Sequence, residues 1–476
     1  MKKIAIYCAS KTLVDKYYHN KDVIILDSYG WHILEKNGQR GIYSVGFSNN
    51  PHNLKLNIVT IREEVSKWST VWERWISAKE SESLVKSTSI FTILNIAADL
   101  KKLNIDIIIF QTGVPHHYDS SLIHIAANLL SIKQIYLYAG VIDGRLIALD
   151  MSTGLKRRQH TNLLISDYDA SSSIDDFISN RRQGNQPKSN VKQALWKRSF
   201  TVSLLAISYF HGKRMMYSLY AYKKNKNWSN DFTPIGFFQD ISISLQQRGY
   251  LESYKSSIKK IHKTHTTRLI ITAHYQPEAT SYPEGGECPD HIEIALSLKS
   301  KGYKGEILYK EHPATNFYTD NIIGSTRVGL HRSKKYYNTL NKIGCLFVSD
   351  DTKLSLDKGG CEWYIPITIS GTIAIERALS GLHTIITGEP WFKDMPGVIN
   401  LSDLTSLETI DSEWSIPNEN IEKAAIEFLK NILSNKTILN YPGVGTGIKL
   451  FEKNQKNIFL KEFESLVQGL TINRNN

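Results

Sequence analysis

The chain has 476 residues, 41% of them apolar. That is enough for two or three domains with their own cores and excludes wholesale disorder. Its 58 Lys and Arg against 46 Asp and Glu leave a formal charge of +12, yet eleven of those cations fall between Ile178 and Asn230 with no acid among them, so the remainder contributes only +1 (12 − 11). No run approaches the roughly 20 apolar residues of a membrane span.

The apolar stretch after Lys2-Lys3 is too short for a signal peptide and breaks at Lys11. Cys8, Cys288, Cys345 and Cys361 have no metal-ligand spacing and read as reduced thiols of a cytoplasmic protein. No internal repeat at a solenoid period is visible.

Residues 1–170 read as a first α/β domain. Ile4–Tyr7 and Val23–Leu26 are short apolar strands, and Leu56–Ile61 reads as a third. Val65–Leu103 is amphipathic and expected to be mostly helical. Ile107–Gln111 is the clearest strand of this half, followed by a helix over Leu122–Leu130 and a strand over Ile132–Tyr138. Neither a Gly-rich dinucleotide fingerprint nor a P-loop is present. The loop Pro115–Asp119 offers His116, His117 and Asp119 at a strand's carboxyl end. Any of the three can act as a general base. Asp119-Ser120-Ser121 equally reads as a helix N-cap.

Residues 171–262 hold the charge. The stretch 178–230 interleaves its cations with Trp196, Phe200, Tyr209, Tyr217, Tyr220 and Trp228. A basic, aromatic, partly helical segment suits the anionic lipid headgroups of a membrane surface. A solvated helical linker is the plainer alternative. Nucleic acid is not expected, since no nucleic-acid motif accompanies the charge.

Residues 263–435 read as a second α/β domain with strands at Leu269–Ala273, Glu306–Tyr309, Gly344–Val348, Tyr364–Ile369 and His383–Ile386. Helices are expected over His291–Lys299 and from Ile373 to Leu379. Polar residues gather at the strands' carboxyl ends, where doubly wound sheets bind ligands. After the first strand come His274, Gln276 and Glu278; after the second, Lys310-Glu311-His312-Pro313; after the fourth, Ser370-Gly371-Thr372 with Glu376 behind. Ser370-Gly371-Thr372 opens a helix, so N–H groups and hydroxyls can meet an anion there, although such a triplet is most often only an N-cap. Glu376, one turn on, can accept from a ribose or lie on a solvated face. His312 is fixed by the following proline and can serve a phosphate. Glu278 is a second base candidate or a loop carboxylate paired with a cation. Residues 436–476 complete the chain, with helices expected over Ile421–Leu433 and Ile448–Leu466.

The segments 274–286, 310–313 and 370–388 resemble the carboxyl half of bacterial capsular and surface polysaccharide biosynthesis proteins. The His-Pro and Ser-Gly-Thr elements also resemble those of GT-B sialyl-, polysialyl- and Kdo-transferases that use CMP-activated sugars. The resemblance implies an α/β, GT-B-like fold: two Rossmann-like domains with a central helical basic segment, the final helices crossing back to the first domain. It implies a glycosyltransferase that needs no metal or other cofactor. The donor would be a CMP-activated sugar, Kdo-like or another acidic keto sugar, and the acceptor a capsular or lipopolysaccharide glycan, free or lipid-linked. His312, Ser370 and Thr372 would hold the donor phosphate, with His274, Gln276, Lys310, Gly371 and Glu376 around the donor. Gly381-Leu382-His383 departs from the family's Lys-Pro turn. Two other readings stay open: a nucleotide-sugar epimerase or hydrolase of the same fold, and a non-catalytic biosynthesis or export partner.

Overall fold

The structure, a computed structural model, describes residues 2–7, 11–17, 20–27, 42–44, 57–72, 82–111, 118–139, 145–151, 159–160, 171–182, 208–209, 211–212, 237–238, 241–242, 253–258, 268–274, 285, 288, 290–312, 332–349, 364–408, 412–435, 437–439 and 453–472. It divides into two compact units. The first takes Met1–Asp175, Asn227–Thr233 and Leu429–Asn476; the second takes Asp176–Lys226 and Pro234–Phe428.

In chain order the elements are β1 (Ile4–Tyr7), α1 (Lys11–Tyr17), β2 (Val23–Asp27), β3 (Ile42–Ser44), α2 (Ile58–Trp72), α3 (Glu82–Lys102), β4 (Ile107–Phe110), α4 (Tyr118–Leu129), β5 (Lys133–Ala139), β6 (Arg145–Asp150), β7 (Gln159–His160) and α5 (Ser171–Arg182). Then follow β8 (Arg268–Thr272), α6 (His291–Ser300), β9 (Ile307–Lys310), α7 (Lys334–Ile343), β10 (Cys345–Val348), β11 (Tyr364–Thr368), α8 (Ile373–Ala378), β12 (Thr384–Ile386), β13 (Val398–Asn400), α9 (Glu419–Asn435), β14 (Thr437–Leu439) and α10 (Lys453–Ile472).

In the first unit the sheet runs β14-β6-β5-β4-β1-β2-β3, with β7 beside β6. The strands from β3 to β5 are parallel; β6, β7 and β14 pair antiparallel. β1 and β4 are buried along their whole length, which is why their sequences are continuously apolar instead of alternating. On one face α10 lays Phe459, Phe463, Leu466 and Leu470 against Ile4, Ile6, Ile107 and Ile109. Among the helices, Trp72 Nε1 donates to Ser121 Oγ at 2.6 Å and Trp68 meets the His124 ring edge-on.

The strand expected over Leu56–Ile61 is corrected: Ile58 opens α2. Its β-branched residues suit either state, but Ile61, Val65, Trp68 and Trp72 recur at helical spacing and are all buried, while Ile58 and Val59 are exposed. Asn57 caps the turn, its Oδ1 accepting from Val59 N at 2.9 Å.

In the second unit all strand pairs are parallel, in the order β10-β9-β8-β11-β12-β13. Counted along the unit this is 3-2-1-4-5-6, the doubly wound order of dinucleotide-binding sheets, whose direction of winding reverses between its first and fourth strands. That switch point lies between β8 and β11. Side chains alternate across the sheet: Leu269, Ile271, Ile307 and Tyr309 pack under α6 and α7, while Ile270, Leu308 and Val348 face Ile373 of α8. Asp290 caps α6 through Ile292 N, and Ser333 caps α7 through Tyr336 N. Gly344 ends α7 at φ 100°, a left-handed turn that favours glycine.

The chain is thus mixed α/β with a mainly parallel sheet in each unit, as the GT-B-like expectation requires. Among the described residues no helix is long and apolar enough to cross a membrane.

Candidate functional site

The carboxyl ends of β8, β9 and β11 lie side by side in the second unit. Ala273 N donates to Lys310 O at 2.9 Å, and Gly388 N to Ile369 O at 2.9 Å, so the segments leaving the strands are held in register. His274 leaves β8 at the switch point. Its Nε2 accepts from Ser370 N at 3.2 Å and meets Thr368 Oγ1 at 2.9 Å. Because Nε2 is an acceptor, the ring is neutral with its proton on Nδ1. Burial, seconded by His312 and Arg332, holds His274 far down, at about 3.

Beneath this contact lies a closed polar network. Glu311 is 0% exposed. Arg332 forks onto it, Nε to Oε2 at 2.8 Å and Nη2 to Oε1 at 3.2 Å. Tyr309 and Tyr337 hydroxyls donate to Oε2 at 3.0 Å each, and His312 N to Oε1 at 2.8 Å. Tyr254 accepts from Glu311 N at 3.1 Å and donates to Val348 O. Burial opposes the charge, but Arg332 and the donors outweigh it and hold the Glu311 carboxyl below its ordinary value. Arg332 Nη2 also reaches His274 O at 3.0 Å, and His274 N donates to His291 Nε2 at 2.9 Å, whose Nδ1 meets Tyr336 at 3.0 Å. This network fixes the backbone on both sides of the switch point and is saturated. Its task is positioning.

Lys310 and His312 are partly buried and Thr372 is exposed. Burial first, with Lys310 and Arg332 adding to it against Glu311, lowers His312 to about 4, so its imidazole is neutral near pH 7.

The expectation for Ser370-Gly371-Thr372 is corrected in two respects. The triplet does not act as a side-chain cap: Thr372 takes the N-cap place with helical backbone and no capping bond. Nor do all its N–H groups turn outward, since Ser370 N is taken by His274 and Gly371 N by Thr368 Oγ1 at 3.1 Å. Gly371 is glycine because a Cβ there would stand 2.5 Å from Thr368 Oγ1.

Glu376 is corrected as well. It is neither a solvated face nor an open ribose acceptor: it is buried, and its Oε1 pairs with Arg181 Nη1 at 3.1 Å. Arg181 belongs by sequence to the basic stretch expected at the membrane, yet its side chain is only 11% exposed.

The remaining candidates are placed unevenly. Gln276 and Glu278 lie outside the described residues, as do His116, His117 and most of 178–230. Asp119 falls in the first turn of α4, inside the helix instead of at its cap. Arg332, His291, Thr368 and Arg181 were not marked by sequence reasoning. The first three carry no local motif, and Arg181 was hidden in a charge run. Cys345 is the core thiol expected, with burial raising it to about 12.

No family model and no curated protein matches the chain. Among solved structures it is similar to Thermosulfurimonas dismutans KpsC, a beta Kdo 2,7 transferase (11% identity, 83% of this chain and 99% of that one, TM-score 0.31). It is also similar to Neisseria meningitidis UDP-GlcNAc 2-epimerase bound to UDP-GlcNAc (11% identity, 98% and 100%, TM-score 0.19). A third is the wall teichoic acid polymerase TagF (8% identity, 99% and 90%, TM-score 0.20). Scores this low leave function to be read from the site.

Proposed function

We propose that the second unit binds a nucleotide-activated sugar at the switch point between β8 and β11, and that the protein is a glycosyltransferase of surface polysaccharide assembly. The observation that carries this is the convergence of His274, Lys310, His312 and Thr372 on the carboxyl ends of three neighbouring parallel strands. Such a crevice is where doubly wound sheets take nucleotides. Thr372 N and Ile373 N meet no acceptor among the described residues, and they stand beside the exposed Thr372 hydroxyl.

The donor fitting the motif resemblance is CMP-activated, carrying a Kdo-like or other acidic keto sugar. In the transfer an acceptor oxygen bonds to the anomeric carbon as the bond from that carbon to the phosphate oxygen breaks. The nucleotide departs with the bonding electrons. Neutral His312 donates a hydrogen bond to the departing phosphate, and Lys310 offsets its charge. The acceptor hydroxyl passes its proton to a base, for which Asp119, His116 and Glu278 are the candidates. The acceptor is a capsular or lipopolysaccharide glycan, lipid-linked where the 178–230 segment meets the inner membrane.

The test is thermal unfolding of the full chain with CMP, CDP, UDP, GDP and ADP, on wild type and His312→Ala, since a ligand of the native state raises Tm by mass action. A CMP shift lost in the variant supports the proposal. A UDP or GDP shift keeps the transferase and discards the CMP donor. No shift with any nucleotide refutes it in favour of a non-catalytic partner.

A further inference from the structure

The second unit holds two buried arginine–carboxylate pairs that differ in kind. The Glu311–Arg332 pair is closed: the guanidinium forks onto both carboxylate oxygens, a carbonyl takes a further N–H, and two tyrosines and an amide fill the carboxylate. The Glu376–Arg181 pair is open. It rests on Nη1 alone, 3.1 Å from Glu376 Oε1 and 3.4 Å from Thr372 Oγ1. Guanidinium carries five N–H donors, and among the described residues the remaining ones meet no acceptor. Yet Arg181 and Glu376 side chains are only 11% and 8% exposed. No Arg181 nitrogen is among the enclosed polar atoms that lack a partner, so its spare N–H groups border solvent and can receive a ligand's oxygens.

The location says what fills it. Thr372 Oγ1 accepts from Arg181, so the hydroxyl's own hydrogen is directed elsewhere, at the exposed entrance to α8. Lys310 lies close enough to act electrostatically on both Glu376 and His312. Arg181 and Lys310 thus both act on the Glu376 carboxylate, with the Thr372 hydroxyl against Arg181. Arginine's planar fork matches phosphate oxygens.

We propose that Arg181 is the phosphate-binding arginine of this site, held toward the Thr372 hydroxyl by Glu376, which serves as its counterion and not as a ribose ligand. This rests on the nucleotide-binding proposal above. It also removes Arg181 from the cations available to a membrane.

The experiment is calorimetric titration of the full chain with cytidine, CMP and inorganic phosphate, on wild type, Arg181→Lys, Arg181→Gln and the double variant R181Q/E376Q. The double variant removes the carboxylate that Arg181→Gln would leave buried without its cation. Wild type should favour CMP over cytidine by about ten- to hundredfold, the reach of one or two charge-assisted hydrogen bonds. In Arg181→Gln and the double variant that ratio should fall about tenfold or more with cytidine binding kept, and phosphate binding should weaken in step. Arg181→Lys should fall between. A double variant that keeps the preference, or that loses cytidine and CMP alike, overturns the role of Arg181. If UMP or GMP replaces CMP and its phosphate preference still depends on Arg181, the assignment stands and only the base was wrong. Wild type that binds no nucleotide removes both proposals together.

Discussion

Replacing Arg332 with methionine probes the network under the switch point directly. Glu311 would remain fully buried with the Tyr309 and Tyr337 hydroxyls and His312 N still donating to it, but with no countercharge. Removing one partner of a buried pair costs about 3–5 kcal/mol, because the other charge stays uncompensated. At about 1.4 kcal/mol per tenfold, amide protection over residues 268–274 and 307–312 should fall by roughly two to three and a half orders of magnitude. Hydrogen exchange read by mass spectrometry isolates these peptides from the first unit. The deficit should also depend on pH. In wild type the Glu311 carboxyl is held below its ordinary value, so its contribution is present above the unfolded value and lost as pH falls through the folded one. In the variant burial is opposed only by the hydrogen-bond donors, the folded value rises, and the deficit shrinks as pH falls and the carboxyl takes a proton. Glu311→Gln added to Arg332→Met should recover part of the loss. Protection within about fivefold of wild type, under 1 kcal/mol, or a double variant no better than the single, would refute the network's role.

Other predictions concern the same crevice. Gly371→Ala would bring a Cβ to 2.5 Å from Thr368 Oγ1 and displace a hydroxyl shared by Gly371 N and His274; we expect a loss of about 1–3 kcal/mol by chemical denaturation. Thr368→Ala in that background should restore part of it, and no loss in the single variant would sink the close-approach argument. His274 and His312 are held down at about 3 and about 4, so the unfolded chain gains protons first as pH drops below the ordinary histidine value. Stability should therefore be fully present above about 6.5 and fall toward about 4, by up to about 1.4 kcal/mol per pH unit for each histidine. His274→Gln should show a shallower slope, and an unchanged one counts against the buried neutral ring. A phosphate arriving beside His312 raises its affinity for a proton, so CMP binding should take up protons as pH falls toward about 4. Calorimetry in buffers of different ionisation heat measures this, and zero uptake would place the phosphate away from His312.

Much of the fold was legible because it is written locally. Runs such as Ile107–Phe110 and Leu269–Ile271 are apolar, β-branched and bounded, and a strand buried on both faces permits little else. The failure at Leu56–Ile61 came from a short β-branched run whose period is ambiguous until Val65, Trp68 and Trp72 are counted with it. Motifs placed at strand ends in the sequence, His274, Lys310-His312 and Ser370-Thr372, do stand at neighbouring strand ends in the structure. Their division of labour was not legible. Glu311 carries no local mark of being fully enclosed, and Glu376 looks like any acid in a first helical turn.

The sequence by itself determined the long buried strands and the helices that follow several of them, and that polar residues cluster where strands stop; the short edge strands β3, β7, β13 and β14 carried no such mark. Tertiary structure alone decided the partners: His274 with Thr368, 94 residues on, Glu311 with Arg332, 21 residues on, and Glu376 with Arg181, 195 residues back. Periodicity records whether a side chain faces a core, an environment set within a few residues. Which polar groups meet depends on strand order, and the reversal that brings β8 beside β11 is a property of the whole sheet.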